Sequence, residues 1–131
     1  MSGEANKKLV RDAWDAFWRG DIEAGLTCFA DDASWVVPGP MKTSGVKRGK
    51  EEIRRFRHGN LNIFAELDRK LVGIYADGDC VILESAVAGR LKNGRPYENA
   101  GCAVWEIRNG KVRQVREYLD TARAKAVNDV V

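Results

Sequence analysis

The first half of the chain carries apolar residues at helical spacing. Over Ala5–Arg19 they recur every three or four positions, which predicts an amphipathic helix. A second, shorter helix is expected over Ile22–Ala30, with Asp21 as its N-cap, and a third over Lys50–His58. The apolar segment Ala33–Val37 lies between the last two and is typical of a strand.

The second half changes to longer apolar and β-branched runs separated by turn signals. Asn-Gly pairs occur at two of the joints, and they favour tight hairpins because both positions tolerate positive φ. Helices followed by a meander of strands predict one α+β domain over residues 1–131, ending in a short, partly helical tail. The predicted strands are Asn62–Tyr75, Cys80–Leu91, Pro96–Ile107 and Lys111–Leu119.

Composition narrows the class of protein. The chain has 131 residues, of which 44% are apolar and 31% charged, as in ordinary globular domains. Its 22 basic and 19 acidic residues are interspersed, so the net charge of +3 does not favour nucleic acid as a partner. The apolar runs are too short to cross a membrane, and the N-terminus lacks the pattern of a signal peptide. We therefore expect a cytoplasmic protein with no membrane partner.

Two residue counts weigh against common catalytic devices. The chain has 1 His, His58, and 3 Cys without a C-x-x-C pair, which is too few ligands at close spacing for a zinc site. A catalytic triad would have to use His58, and no nucleophile motif accompanies any Ser or Cys. We therefore expect neither a metal nor a nucleophilic triad.

Three stretches carry a resemblance to a known family. They are Gly20–Ala24 running into Phe29–Ala33, then Val46–Ile53, and finally Gly110–Val112 leading to Arg116–Thr121. Together they resemble the SnoaL-like and ketosteroid-isomerase-like proteins, including the limonene-epoxide hydrolase branch.

The resemblance implies an α+β fold of the cystatin-like, nuclear-transport-factor type. This is a cone in which a strongly curved mixed sheet wraps around three helices from the N-terminal half. It further implies a pocket for a hydrophobic small molecule, chemistry without a metal or other cofactor, and a homodimer formed through the outer face of the sheet.

The catalytic residues of these relatives do not carry over well. The isomerase base falls on Val37, and its acidic oxyanion donor falls near Ala103, so neither position retains an ionisable group. In the epoxide-hydrolase pattern the arginine and first aspartate fall near Glu84 and Ala86. The last aspartate falls at Glu117, the one position that retains a carboxylate in its expected place.

The alternation of side chains along strands suggests a different set of polar groups. Glu117 shares its face with Val115 and Leu119, and a carboxyl group among apolar neighbours has its charged form disfavoured. By the same rule Glu84 shares a face with Ile82 and Ala86. A third inward face is expected on the next strand, with Asn99, Gly101, Ala103 and Trp105.

The resulting hypothesis is a cofactor-free acid/base site in an aromatic-lined pocket. Its catalytic residues are Glu117, Glu84 and Asn99, with Glu117 as the principal acid or base. Its substrate-binding residues are Trp14, Trp35, Val37, Phe56, Ala86, Gly101 and Ala103.

Structural alternatives remain open for the same residues. Either glutamate could pair with an arginine, and Asn99 could do no more than tie strand ends together. The basic run around Arg54, Arg55 and Arg57 is more typical of a solvated helix face than of an anion site. At the level of the whole protein, the alternatives to an enzyme are a ligand-binding module without chemistry and a dimeric interaction module.

Overall fold

The computed structural model describes residues 2–131 and contains one mixed sheet with helices packed on one of its faces. We call the face that packs against the helices the inner face. The helices are α1 Gly3–Trp18, α2 Ile22–Leu26, α3 Gly49–Asn62, α4 Thr121–Ala124 and the 3-10 helix Lys125–Asp129. The strands are β1 Phe29–Val37, β2 Gly45–Arg48, β3 Phe64–Asp77, β4 Cys80–Leu91, β5 Pro96–Arg108 and β6 Lys111–Leu119.

The sheet has six strands in the order β2-β1-β6-β5-β4-β3. β1 runs parallel to β6, and every other neighbouring pair is antiparallel. The predicted α+β class and mixed sheet are confirmed.

Several boundaries in the first half differ from prediction, and the strand β2 was not predicted. The second helix ends at Leu26, and Phe29 already belongs to β1, because its side chain is buried under the helices as a strand residue. The third helix continues to Asn62, past Gly59. Glycine lowers helix stability by only about 1 kcal/mol, so packing of the flanking turns overrides it. Asp21 caps α2 as predicted, accepting a hydrogen bond from the Ala24 backbone N–H at 3.2 Å.

The turn at the β5–β6 hairpin follows the predicted chemistry. Asn109 has φ of 53° and Gly110 has φ of 75°, so both central residues are left-handed, as a type I′ turn requires. This turn fixes which residues of β5 and β6 lie opposite each other, apart from one irregularity between Glu106 and Ile107. The irregularity shifts the register by one residue, so the turn and the irregularity together place Ala103 opposite Glu117.

An aromatic cluster forms the centre of the core. Phe29 and Trp35 stack on β1 with ring centroids 6.1 Å apart, and Trp105 of β5 meets Trp35 edge-on at 5.7 Å. Phe17 of α1 packs edge-on against Phe29 at 5.7 Å and against Trp35 at 5.9 Å. Such pairs join the helical layer to the sheet beyond simple burial of area.

The C-terminal segment is partly helical, as predicted, and it covers one end of the inner face. Asp120 caps α4 by accepting from the Arg123 N–H at 3.1 Å. Val127 is buried in a small cluster with Leu91 and Tyr97. The loop after β1 also contacts this segment, because the backbone N–H of Lys42 donates to Asn128 Oδ1 at 2.9 Å.

Two features are absent from the part of the chain that the structure describes. Within residues 2–131, no helix is long and apolar enough to cross a membrane. The same residues contain no group of three or more His, Cys, Asp or Glu side chains placed to hold a metal ion.

Candidate functional site

A cavity lies between helices α1 and α3 and the inner face of the sheet. It has a volume of about 160 Å³ and opens to solvent. The aromatic residues of its wall are Trp14, Phe17, Trp18, Trp35, Phe56, Phe64, Tyr97, Trp105 and Tyr118. Its polar residues are Thr43, Arg57, Asn60, Ser85, Asn99 and Glu117.

Glu117 places a carboxyl group in this wall. It lies on β6 opposite Ala103, so its side chain points to the inner face. The indole Nε1–H of Trp35, on the neighbouring strand β1, donates to Glu117 Oε1 at 2.8 Å. The carboxylate is therefore held in a fixed orientation, while it retains partial exposure through the cavity.

The surroundings of Glu117 disfavour its charged form. Loss of solvent on burial raises the pKa of the Glu117 carboxyl above its usual value of 4.5. The positive charge of Arg57, the hydrogen bond from Trp35 and the charge of Lys47 each act in the opposite direction without reversing the shift. A carboxyl group with a raised pKa is suited to exchange protons near neutral pH.

Arg57 is a buried cation in the same wall. Its side chain is on α3 and is only 3% exposed. The guanidinium carbon lies 5.0 Å from the ring centres of Phe17 and Trp18 and 5.2 Å from that of Trp35, so three aromatic faces surround it. Burial lowers the pKa of Arg57 to about 10, while the charge of Glu117 partly offsets this effect. Arg57 therefore stays charged at neutral pH.

Asn99 is committed to contacts within the protein. Its Nδ2 donates to the Tyr97 hydroxyl at 2.9 Å and to the Asp120 carbonyl at 3.0 Å. Its Oδ1 accepts from the backbone N–H of Ala100 at 2.8 Å and of Asp120 at 3.3 Å. The amide ties β5 to the start of α4, the alternative left open by the sequence, and it positions the Tyr97 hydroxyl in the cavity wall.

Most of the residues assigned to substrate contact lie in the wall. The structure brings together Trp14, Trp35, Val37, Phe56, Gly101 and Ala103 with Glu117 and Asn99.

The predicted positions of Glu84 and Ala86 are wrong. Glu84 is exposed on the outer face of β4, and Ala86 lies with it, outside the cavity. The inner face of β4 instead carries Leu83, which lies opposite Ala103 of β5. β4 has apolar residues on both faces, so alternation alone did not decide which face turned inward. Neither Arg90 nor Arg113 pairs with Glu84, because they meet Glu66 and Asp32 instead.

Gly101 is small for a reason besides pocket volume. A Cβ atom at this position would lie 2.2 Å from the carbonyl oxygen of Tyr118 and 2.9 Å from Cα of Leu119. The missing side chain lets β6 approach β5 closely at the residue that pairs with Leu119. This approach places Glu117, two residues earlier, against β5.

Arg57 is the main residue that sequence reasoning missed. It was grouped with Arg54 and Arg55 as a solvated run, and Arg54 does form exposed ion pairs with Glu23 and Glu51. A signal was present, however, because Arg57 follows Ile53 by four positions, on the inward side of α3. A charged residue on the apolar face of an amphipathic helix indicates either a buried pair or a site.

Comparison with known proteins places this geometry in a family. Residues 10–115 match the model of the SnoaL-like domain, a stretch that ends two positions before Glu117. Uncharacterized proteins of Mycobacterium bovis and Mycobacterium tuberculosis are 40% identical over 53 residues; this match covers 40% of the chain and 40% of each relative.

Solved structures match over nearly the full chain. An NTF2-like protein from Burkholderia xenovorans LB400 has a TM-score of 0.84 at 26% identity, covering 98% of both chains. An NTF2-like protein of unknown function from Burkholderia pseudomallei K96243 has a TM-score of 0.85 at 25% identity, covering 97% of this chain and 98% of the other. Because the family model matches residues 10–115, most of the chain, the chain belongs to the SnoaL-like family.

Proposed function

We propose that this protein binds a hydrophobic small molecule in the cavity and that Glu117 moves a proton on it without a cofactor. The observation that carries the proposal is the carboxyl group of Glu117, oriented by Trp35 at 2.8 Å in an apolar wall. Structures that share the fold include a putative SnoaL-like polyketide cyclase from Jannaschia sp. CCS1 and a hypothetical protein with a ketosteroid isomerase-like fold from Catenulispora acidiphila DSM 44928, and chemistry of this kind is consistent with the proposal.

The proposed step is proton transfer at a carbon next to a carbonyl group. The Glu117 carboxylate takes the proton, the C–H electron pair moves into the bond to the carbonyl carbon, and an enolate forms. Glu117 is then a neutral carboxylic acid, and it returns the proton to the same or another atom. Isomerisation, cyclisation and addition of water can each begin from such a step.

The other polar groups have supporting roles. Arg57 supplies a positive charge that favours the enolate oxygen over the neutral ketone. The Tyr97 hydroxyl, held by Asn99 at 2.9 Å, can donate to a substrate oxygen. We assign Asn99 as a positioning residue, since its own amide atoms are all engaged with the protein.

Hydrogen exchange on a simple ketone tests the proposal. With 2-tetralone in D₂O, we expect the protein to accelerate loss of the proton NMR signal beside the carbonyl. General-base catalysis contributes on the order of 100-fold or more, so Glu117→Gln should return the rate to background. Glu84→Gln is the matched control, because it makes the same change on the outer face. Equal rates in wild type and Glu117→Gln would reject the assigned base.

The second candidate is a ligand-binding module without chemistry. Val37 and Ala103 favour it, since both line the cavity at positions where the isomerase-like relatives are expected to carry acids. Under this alternative, apolar ligands bind the wild type, and Glu117→Gln changes no rate of conversion. Tight binding together with no exchange above background would select the module over the enzyme.

We also propose that the chain forms a homodimer through the outer face of its sheet. One row across all six strands joins Tyr75, Ile82, Val104, Arg116, Val36 and Val46 by direct cross-strand pairing. Tyr75 is 57% exposed and Ile82 is 40% exposed. Five of the six residues in the row are apolar, and exposed apolar surface of this kind is typical of a protein interface. Arg116 interrupts the row and forms an ion pair with Glu106.

A further inference from the structure

We propose that the cavity selects an organic anion: an apolar body with one two-oxygen acidic group that binds Arg57. The acidic group is a carboxylate or the enolate of a 1,3-dicarbonyl compound, and these share the same planar pair of oxygens. This inference rests on the proposed function, because it names the ligand class of the same site.

The first support is that Arg57 lacks an acceptor. Within the described chain, the buried Nε–H of Arg57 has no hydrogen-bond partner. Arg57 and Glu117 influence each other through their charges, whereas the hydrogen bond to the carboxylate comes from Trp35. An arginine enclosed by aromatic rings and left without a hydrogen-bonded anion has donors available for a ligand.

The second support is the balance of donors and acceptors in the wall. Trp105, also in the wall, has a buried indole Nε1–H without a partner in residues 2–131. The side-chain N–H group of Trp35 already donates to Glu117, and those of Asn99 already donate to the Tyr97 hydroxyl and the Asp120 carbonyl. The two buried side-chain atoms of the wall that lack a partner, Arg57 Nε and Trp105 Nε1, are thus both donors, which a ligand with acceptor oxygens complements.

The third support is the shape of the group that fits. A guanidinium presents a planar fork of N–H donors, which matches two oxygens of one plane better than a single hydroxyl. The rings of Phe17, Trp18 and Trp35 lie 5.0–5.2 Å from the guanidinium carbon, so aromatic surface surrounds the group on several sides. The rest of the ligand meets an aromatic wall, which favours an apolar or aromatic body.

Binding of matched probes tests this inference by calorimetry near pH 6. The probes are 2-naphthoate, its neutral counterpart 2-naphthamide, and 4,4,4-trifluoro-1-phenylbutane-1,3-dione, an open-chain source of an enolate whose two oxygens can lie on the same side. We expect at least one anion to bind the wild type 10-fold or more tighter than the amide, and the tighter of the two identifies the source. Arg57→Met should weaken anion binding roughly 10- to 100-fold and leave the amide within about threefold.

Two further variants keep the result interpretable. Arg57→Lys retains the charge without the fork, so it should restore part of the anion preference. Glu84→Gln changes a charge on the outer face and should alter nothing. Near-ultraviolet circular dichroism of the tryptophans reports whether Arg57→Met keeps its fold. If it does not, Arg57→Lys decides the assignment: a reduced anion preference supports the role of Arg57, and an unchanged preference contradicts it.

Specific outcomes overturn the inference. Equal affinity of wild type for acid and amide does so, as does an anion preference that survives in both Arg57 variants. The exchange assay starts from a neutral ketone and compares wild type with Glu117→Gln, both of which retain Arg57, so it tests the base separately from the affinity for anionic ligands. If the wild type shows no preference for the anion but still catalyses exchange that depends on Glu117, only the anion site is rejected. Anion binding through Arg57 without any exchange rejects only the catalytic role.

Discussion

The indole Nε1–H of Trp35 donates to Glu117 Oε1 at 2.8 Å, and the ring of the same tryptophan lies 5.2 Å from the Arg57 guanidinium carbon. One side chain therefore contacts both charged groups of the cavity. It orients the carboxylate through its edge and covers the cation with its face. The two charges are held near each other although the direct hydrogen bond goes to Trp35.

Trp35→Phe should raise the pKa of Glu117 further. The substitution retains a ring over Arg57 and removes the donor, and that donor currently favours the charged carboxylate. The cost in folding free energy is about 1.5–3 kcal/mol when Glu117 is ionised, and it disappears once the pH is low enough to protonate the group. Carbon-13 NMR of labelled glutamate measures the pKa. Trp14→Phe, in the same wall, should leave it unchanged.

Glu117→Gln should stabilise the protein at alkaline pH. The folded pKa is raised above the unfolded one, so the stability of the wild type is highest below the unfolded pKa. It falls as pH rises through the folded pKa. Each pKa unit of that difference lowers the free energy of unfolding at alkaline pH by roughly 1.4 kcal/mol. The pKa is raised even though the charge of Arg57 acts to lower it.

Urea unfolding at several pH values checks this expectation. The stability difference between Glu117→Gln and wild type should be largest near pH 8 and vanish below about pH 4, the range of an ordinary glutamate. Glu84→Gln, on the exposed face, should follow the wild-type curve. A variant that is less stable than wild type at every pH would show that Glu117 contributes net stability while ionised.

Anion binding should weaken as pH rises. A neutral Glu117 leaves the Arg57 charge to the ligand, whereas an ionised Glu117 repels it. Of the groups that interact with Glu117, Arg57 has a pKa of about 10 and burial raises the pKa of Tyr97 above 10, so neither titrates between about pH 5.5 and 8.5. Burial lowers the pKa of Lys47 from its usual value of 10.5.

Calorimetry of 2-naphthoate across this range measures the effect. Above the pKa of Glu117, affinity should fall by up to about tenfold per pH unit if only the protonated form binds. Glu117→Gln should show a nearly flat profile. A slope that is the same in both proteins would assign the pH dependence to another group.

Gly101→Ala should destabilise the fold. Its Cβ would lie 2.2 Å from the Tyr118 carbonyl oxygen, a backbone atom that cannot move without separating β5 from β6. We expect a loss of about 1–3 kcal/mol in chemical unfolding, with reduced ligand binding because Glu117 is displaced. Gly59→Ala is the contrasting control: nothing lies within 4 Å of its added atom, and it should stabilise α3 by about 0.5–1 kcal/mol.

Ile82→Glu should convert the proposed dimer to a monomer. The side chain is 40% exposed in the middle of the outer apolar row, and a buried glutamate without a partner opposes association. Sedimentation equilibrium measures the mass. Lys92→Glu in the β4–β5 turn changes charge away from this row and should leave the mass unchanged. A wild-type chain that sediments as a monomer at micromolar concentration contradicts the proposal.

The sequence predicted much of the fold because its local signals agreed with tertiary packing. Asp21 occupies its cap, and Asn109 and Gly110 adopt the left-handed turn that their side chains permit. The predicted bounds of β4 and β6 match the structure. Boundaries were wrong where a residue suits two elements: Phe29 fits an apolar helix face as well as a strand, and only its burial decided between them.

For the site, the sequence could identify candidate residues but could not predict which of them contact each other. It singled out Glu117 by the contrast between one carboxylate and an apolar face, and that contrast survives in the structure. The same argument failed for Glu84, because both faces of β4 are apolar and pairing with β5 turned Leu83 inward instead. The roles expected for Asn99 and Arg57 were also wrong, because the role of a polar side chain depends on its tertiary partners. Asn99 binds Tyr97 and the Asp120 backbone, and Arg57 is enclosed by aromatic rings.

By itself, then, the sequence determined the class of elements, the turns and the presence of an acid on the inner face of β6. Those properties depend on neighbours within a few positions along the chain. Only the tertiary structure decided that Trp35 holds Glu117 and that Arg57 is enclosed by aromatic rings. These contacts join residues on separate elements, and the register of strands and the placement of α3 set their distances.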